Sequence, residues 1–367
     1  MNLAEIFTTH LQLPEKYLHM NNKEMIKTIQ TIKKDMGKEL FIPGHHYQKD
    51  EVIQFADARG DSLQLARLSA RQKASYIVFC GVHFMAETAD ILTNEEQTII
   101  LPDMRAGCSM ADMADDIQTR EAWDELTDRL GNDILPLTYV NSTAEIKAFV
   151  GKHGGATVTS SNAKKMIRWA LNKRKRLLFL PDQHLGRNTA VELGISLDKM
   201  AVWDPIARNL EYTCASEEQI RIILWKGHCS VHENFTMKNV EDVRKSNPDM
   251  TIIVHPECKY EVVKQADLAG STKYIIDTIE QSKAGSKWAI GTEMNLVNRL
   301  IHDHPNKQII SLNPYMCPCL TMNRIDLPHL TWALEEVRAG KKTNQVSVSQ
   351  EIARDAKKAI DRMLQMV

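Results

Sequence analysis

Residues 40–48 read "LFIPGHHYQ", a short apolar run that meets a proline and a glycine and is followed at once by two histidines, a tyrosine and a glutamine. A run this short, bounded by turn residues, has the length of a buried strand rather than a helix. The same two-part unit recurs along the chain. In the first third it returns as "YIVFCGVHFMAET" (76–88) and "TIILPDMRAGCS" (98–109). The second third has "ILPLTYVNST" (134–143), "ATVTSSN" (156–162) and "LLFLPDQHLGRN" (177–188). The last third has "IILWKGHCSVHE" (222–233), "TIIVHPEC" (251–258) and "WAIGTEMN" (288–295).

Helical stretches lie between these runs, for example 61–72, 144–150 and 240–245, so the chain alternates strand and helix as parallel α/β units do. In open parallel sheets, ligands sit beyond the carboxyl ends of the strands. Here His, Tyr, Asn, Ser, Glu and Cys collect at such ends in every third. The pattern predicts three similar α/β layers whose tips converge on one site. A single doubly wound sheet with polar loops is the competing architecture. Residues 22–36 place Met25, Ile26, Ile29, Ile32 and Met36 on one helical face, and 350–366 do the same with Ile352, Ala356, Ile360, Met363 and Leu364. The segment "RAGKKTNQVSVSQ" (338–350) reads as an exposed loop, and "GSTKYI" (270–275) places Ser271 and Thr272 ahead of a strand.

The bulk composition narrows the function. Of 367 residues, 43% are apolar, which suffices for a large core or several smaller ones. Net charge is −1 with the signs interspersed, which argues against a nucleic-acid surface or a polybasic membrane patch. No apolar run is long enough to span a bilayer. The first twenty residues lack the basic and apolar regions of a secretory signal, so a cytoplasmic protein is expected. Seven cysteines in such a chain point to free thiols or metal ligands rather than a disulfide framework.

Four of those cysteines follow strand ends: Cys108 in "RAGCSM", Cys229 in "KGHCSVH", and Cys317 and Cys319 in "YMCPCL". Three thiolates from three distant loops suit a cubane iron–sulfur cluster with one iron left open. A scattered zinc site or inert thiols meet the same spacing. Cys80, inside "YIVFC", reads as a small core residue. His45, His46 and Tyr47 sit at one tip, followed by Ser62, which opens a helix behind Asp61 as N-cap, a position that holds anions. Tyr139, Asn141, Ser160 and Ser161 offer neutral donors, and His255 with Glu257 makes an acid–base pair at the tip of "TIIV". There is no Walker A or G-x-G-x-x-G loop and no nucleophile elbow. "PDQHLGRN" (181–188) is conspicuous, but the sequence assigns it no role.

Taken together, "GHHYQ", "GDSLQLAR", "HFMAETADIL", "YVNSTAEIK", "TSSNA", "PDQHLG", "GHCSVH", "HPEC", "GSTKYI" and "GTEMNLVNRL" closely resemble the quinolinate synthase family, in order, from about residue 38 to 330. The chain is most similar to that family's longer Bacillus-type branch. The resemblance implies three α/β domains with short parallel sheets around a pseudo-threefold axis, with the active site at the centre. It divides the chain into an N-terminal helical extension (1–37), domains at 38–118, 119–220 and 221–320, and C-terminal helices (321–367).

It also implies a [4Fe–4S] cluster and the condensation of iminosuccinate, made by L-aspartate oxidase, with dihydroxyacetone phosphate. The products are quinolinate, phosphate and water, in de novo NAD synthesis. By that resemblance Cys108, Cys229 and a cysteine of "CPC", taken as Cys319 with Cys317 as the other candidate, hold the cluster. The substrate-binding residues are His45, Ser62, Tyr139, Asn141, Ser160, His255, Glu257 and Thr272. The catalytic residues are Tyr47, Glu257, His45 and His232. Position 46 often carries asparagine in the family, and here it is His46. A non-catalytic iron–sulfur or zinc sensor would require the thiols but not this density of histidine, tyrosine and serine at the tips.

Overall fold

The computed structural model describes residues 13–366 and divides into two compact units, one reaching to Cys108 and adding 319–348, the other comprising 109–318 and the residues from 349 onward. The first unit is built on a sheet in which Leu40–Phe41, Tyr76–Val78 and Thr98–Ile100 run parallel. Gln345–Val346 completes its edge antiparallel to Thr98–Ile100, with Gln345 opposite Ile100. The loop expected at 338–350 therefore contains a strand. Two residues are too few to show alternation, and Val346 is in the core, so tertiary pairing decided what the pattern could not. A second short ladder pairs Pro43–His45 with Ala58–Gly60, setting His45 opposite Gly60.

In the second unit, a six-stranded sheet has the order Asn209–Tyr212, Met200–Asp204, Ile222–Trp225, Arg176–Leu180, Ile134–Tyr139, Ala156–Val158. All of its pairs are parallel except the outermost hairpin of Asn209–Tyr212 with Met200–Asp204, which the sequence reading did not contain. Every residue of Ile134–Tyr139 and of Arg176–Leu180 is buried. That is why these strands read as continuous apolar runs, as parallel strands covered on both faces do. The same unit holds a four-stranded parallel sheet ordered Leu268–Ala269, Thr251–Val254, Lys287–Gly291, Gln308–Ser311.

The terminal helices follow their 3.6-residue stripes. Asn22–Met36 buries Met25, Ile29 and Ile32 and starts with a capping box between Asn21 and Glu24, worth about 1 kcal/mol. Gln350–Gln365 buries Ala356, Ile360 and Met363. It lies so close to the helix Ala144–Lys152 that a Cβ on Gly151 would fall 1.9 Å from the carbonyl oxygen of Asp355. Among the described residues no helix is long and apolar enough to cross a membrane.

The first and last thirds share a set of hydrogen bonds around their polar tips. In the first, Ile42 N–H donates to Asp57 Oδ2 and Asp57 N–H returns to Ile42 O. In the last, Ile252 N–H donates to Asp267 Oδ2 and Asp267 N–H returns to Ile252 O. The "GDS" segment ends in the helix Ser62–Arg71, capped by Asp61, and "GST" ends in the helix Thr272–Gln281, capped by Ser271. The expected strand after Ser271 and Thr272 is thus a helix. The hydroxyl at Ser271 accepts from Tyr274 N–H, and this capping bond outweighs the β-branched composition of "TKYII".

Candidate functional site

The two histidine tips share one device. Tyr47 N–H donates to His45 Nδ1 at 3.1 Å, and Glu257 N–H donates to His255 Nδ1 at 3.3 Å. An Nδ1 that accepts must be unprotonated, so each neutral imidazole carries its proton on Nε2, turned away from its own backbone. Both rings are buried, and the Tyr47 ring meets His45 edge-on at 4.7 Å. Burial pushes His255 down from its ordinary value to about 3, so it is neutral at pH 7.

Glu257 is the electrostatic centre of the second unit. Its side chain is buried, and its Oε2 lies 2.7 Å from His232 Nδ1. Burial opposes the carboxylate charge, yet the imidazoles of His255 and His232 and hydrogen bonds from His232 and Tyr139 outweigh it and hold the carboxyl well below the usual range. His232 stacks on His255 with ring centroids 4.6 Å apart. An acceptor-only carboxylate at Nδ1 fixes the His232 proton there, and the Thr292 hydroxyl faces Nε2 at 3.1 Å. The same Nδ1 is 3.2 Å from Cys229 Sγ. Cys229, His232 and Glu257 therefore present ligand-type atoms within 4.8 Å of one another.

The remaining residues leave from neighbouring strand ends. Ile134–Tyr139 and Ala156–Val158 pair with Tyr139 opposite Val158, so Asn141 and Ser160 emerge from adjacent strands. The Oδ1 of Asn141 is buried with no partner among the described residues. Thr272 starts its helix just beyond Leu268–Ala269, the strand beside Thr251–Val254, which His255 follows. In the first unit, Ser62 starts its helix two residues past Gly60, the partner of His45.

The seven cysteines separate by environment. Cys80 and Cys258 are buried, and burial pushes the Cys80 thiol up to about 12 and the Cys258 thiol well above its ordinary value. Such thiols stay protonated and make poor ligands. Cys108, Cys214, Cys229 and Cys319 are half-exposed and Cys317 is exposed, all on irregular segments, with Cys214 packed against the hydrophobic core of the second unit. Accessible thiols on irregular segments are the ones in this chain that could reach a metal.

Three participants escaped the sequence reading. Thr292 lies in the quoted motif "GTEMN" but carried no assignment, since a threonine at a strand end has many ordinary uses. Glu233, adjacent to His232, accepts from His184 Nε2 at 2.8 Å and pairs with Lys259 at 3.1 Å. Asn188 donates to the carbonyls of Pro256 and Cys258 at 2.8 Å each. His184 and Asn188 both belong to "PDQHLGRN", whose conspicuousness was the available signal.

A family model described as "Quinolinate synthetase A protein" matches residues 27–365. Curated relatives named "Quinolinate synthase" include one from Anoxybacillus flavithermus, 66% identical over 365 residues covering 99% of each chain. Others come from Bacillus anthracis and Bacillus cereus, each 65% identical over 366 residues covering 100% of this chain and 99% of the relative.

Proposed function

The chain belongs to the quinolinate synthase family, and on that premise we propose that it condenses iminosuccinate with dihydroxyacetone phosphate to give quinolinate, phosphate and water in de novo NAD synthesis. Iminosuccinate would reach it from an L-aspartate oxidase. The observation that carries the proposal is the row Cys229–His232–Glu257, which sets a half-exposed candidate ligand thiol beside a buried acid–base pair. In this reading the three parallel sheets are three domains about a pseudo-threefold axis, with boundaries near 38, 119, 221 and 321. The matching hydrogen bonds around "GHHYQ" and "HPEC" support that repeat.

Cys108, Cys229 and Cys319 hold a [4Fe–4S] cluster in this reading, and the half-exposed thiols fit that role where Cys80 and Cys258 do not. When bound, the cluster supplies an open iron position that polarises a substrate oxygen. The protein groups do the rest. His45 and His255 each direct an Nε2–H at a substrate carboxylate or carbonyl, and neutral rings do so without gaining a fixed charge. Ser62, Tyr139, Asn141, Ser160 and Thr272 add hydroxyl and amide donors, two of them at helix N-termini suited to phosphate.

Glu257, ionised at rest, is a weak base while the site is empty. Substrate carboxylates and phosphate add negative charge nearby and raise its proton affinity, so it takes up a proton when the site is filled. His232, through its Nδ1–H, keeps that carboxylate oriented and shares the proton, and Tyr47 acts at the other histidine tip.

Anaerobic purification followed by iron analysis, visible absorbance and a quinolinate assay with both substrates tests the proposal. Iron near zero, or full quinolinate formation by Cys229→Ser, overturns it.

A further inference from the structure

The helix-start segment "PDQHLGRN" takes no part in the chemistry above, yet its polar groups are directed onto the two segments that carry it. Asp182 and Gly227 form a parallel bridge, and Gln183 N–H donates to Gly227 O at 3.0 Å, seating the loop that leads to Cys229 and His232. His184 Nε2 reaches Glu233, the neighbour of His232, at 2.8 Å. One turn further along, Asn188 Nδ2 donates to Pro256 O and Cys258 O, the carbonyls of the residues on either side of Glu257.

The chemistry of this last contact is restrictive. One carboxamide supplies two hydrogens in a fixed plane, so a single buried side chain holds both flanks of Glu257. Serine has one donor, and ionised aspartate has none. The orientation is not interchangeable, because both partners are carbonyl oxygens and only the nitrogen can donate to them. It also leaves Asn188 Oδ1 buried with no partner among the described residues. A side chain that forgoes an acceptor bond in order to make two donor bonds is held for those two bonds. Besides Asn188, the tip is held by His255 N–H to Gly291 O, the turn bond from Cys258 N–H to His255 O, and Glu257 N–H to His255 Nδ1.

We propose that Asn188 is a positioning residue for Glu257 and His255, and that "PDQHLGRN" acts as a brace joining their segment to that of Cys229 and His232. The inference rests on the quinolinate synthase reading. Its test compares the anaerobically prepared wild-type holoenzyme with Asn188→Ala and Asn188→Ser, measuring kcat, KM for dihydroxyacetone phosphate and iron content.

For Asn188→Ala, kcat is expected to fall about 10–100-fold with KM and iron content nearly unchanged, as loss of an outer support does. Asn188→Ser, which retains one donor, is expected to recover part of that loss. A kcat equal to wild type, or a rise in KM that matches the fall in kcat, overturns the proposal. If Asn188→Ala does not fold, Asn188→Ser decides by the same criteria. A wild-type holoenzyme that makes no quinolinate overturns the underlying reading instead.

Discussion

Gly227 offers a sharp test of how tightly the "KGHC" loop must seat. A Cβ there would lie 2.3 Å from the carbonyl oxygen of Pro181 and 3.3 Å from the Cβ of Met113. Carbon and carbonyl oxygen come into contact near about 3.3 Å, so Gly227→Ala requires roughly 1 Å of separation. The Gln183 N–H to Gly227 O bond, 3.0 Å long, would then open beyond bonding range. The buried Gly227 carbonyl left without its partner costs about 1–3 kcal/mol, while the half-exposed Gln183 N–H can turn to water. For a body of this size that lowers Tm by roughly 2–4 °C per kcal/mol, or about 6 °C at the middle of both ranges. Cys229 and His232 follow within five residues, and a displacement of about 1 Å at a reacting group can cost about 100-fold in rate. Thermal unfolding by circular dichroism and quinolinate formation by the anaerobic holoenzyme measure the two effects. A variant with wild-type Tm and wild-type kcat would show that the loop does not depend on this close approach.

Other outcomes follow from the same geometry. Glu257→Gln should remain folded and keep its iron while kcat falls by about 100- to 10,000-fold, and substantial residual activity would remove Glu257 from the proton transfers. Cys108→Ser, Cys229→Ser and Cys319→Ser should each lose iron on anaerobic purification, whereas Cys214→Ser and Cys317→Ser retain it. If Cys317→Ser loses iron and Cys319→Ser does not, the third ligand moves to Cys317.

His255 makes stability depend on pH. Its folded value is about 3 against an ordinary 6.5, so below 6.5 the unfolded chain binds a proton that the folded chain refuses. This contribution is complete above that pH and is lost as pH falls toward 3, at up to about 1.4 kcal/mol per pH unit. The stability gap between wild type and His255→Asn, followed by thermal unfolding, should therefore narrow between pH 7 and pH 5, and a constant gap would contradict the buried neutral imidazole.

Much of the fold was legible because parallel strands buried on both faces leave unbroken apolar runs. The runs quoted at the outset coincide with strands of the two units, and the stripes at 22–36 and 350–366 coincide with helices. What was not legible has physical causes. The strand Gln345–Val346 owes its state to pairing with the distant Thr98–Ile100, and Asn209–Tyr212, exposed at three of its four positions, to its hairpin with Met200–Asp204; neither leaves an apolar run to read. "GSTKYI" misled because a β-branched composition concealed a capping serine. At the site, the polar tips identified His45, His255 and Glu257 as candidates, and the family resemblance added His232. Spacing could not show that Asn188, nearly seventy residues upstream of Glu257, holds the carbonyls of the residues on either side of it.

The antiparallel edge formed by Gln345–Val346 on Thr98–Ile100 has a consequence in time. A ribosome adds about 5–20 residues per second, so the 245 residues between Ile100 and Gln345 take roughly 10–50 s to make. Throughout that interval the β-branched edge Thr98–Ile100 has been synthesised and its covering strand has not. An unpaired apolar edge is where foreign strands add. The nascent chain is accordingly most exposed to misassembly late in synthesis, and slowing translation after residue 100 should lower its soluble yield even though every native contact is unchanged.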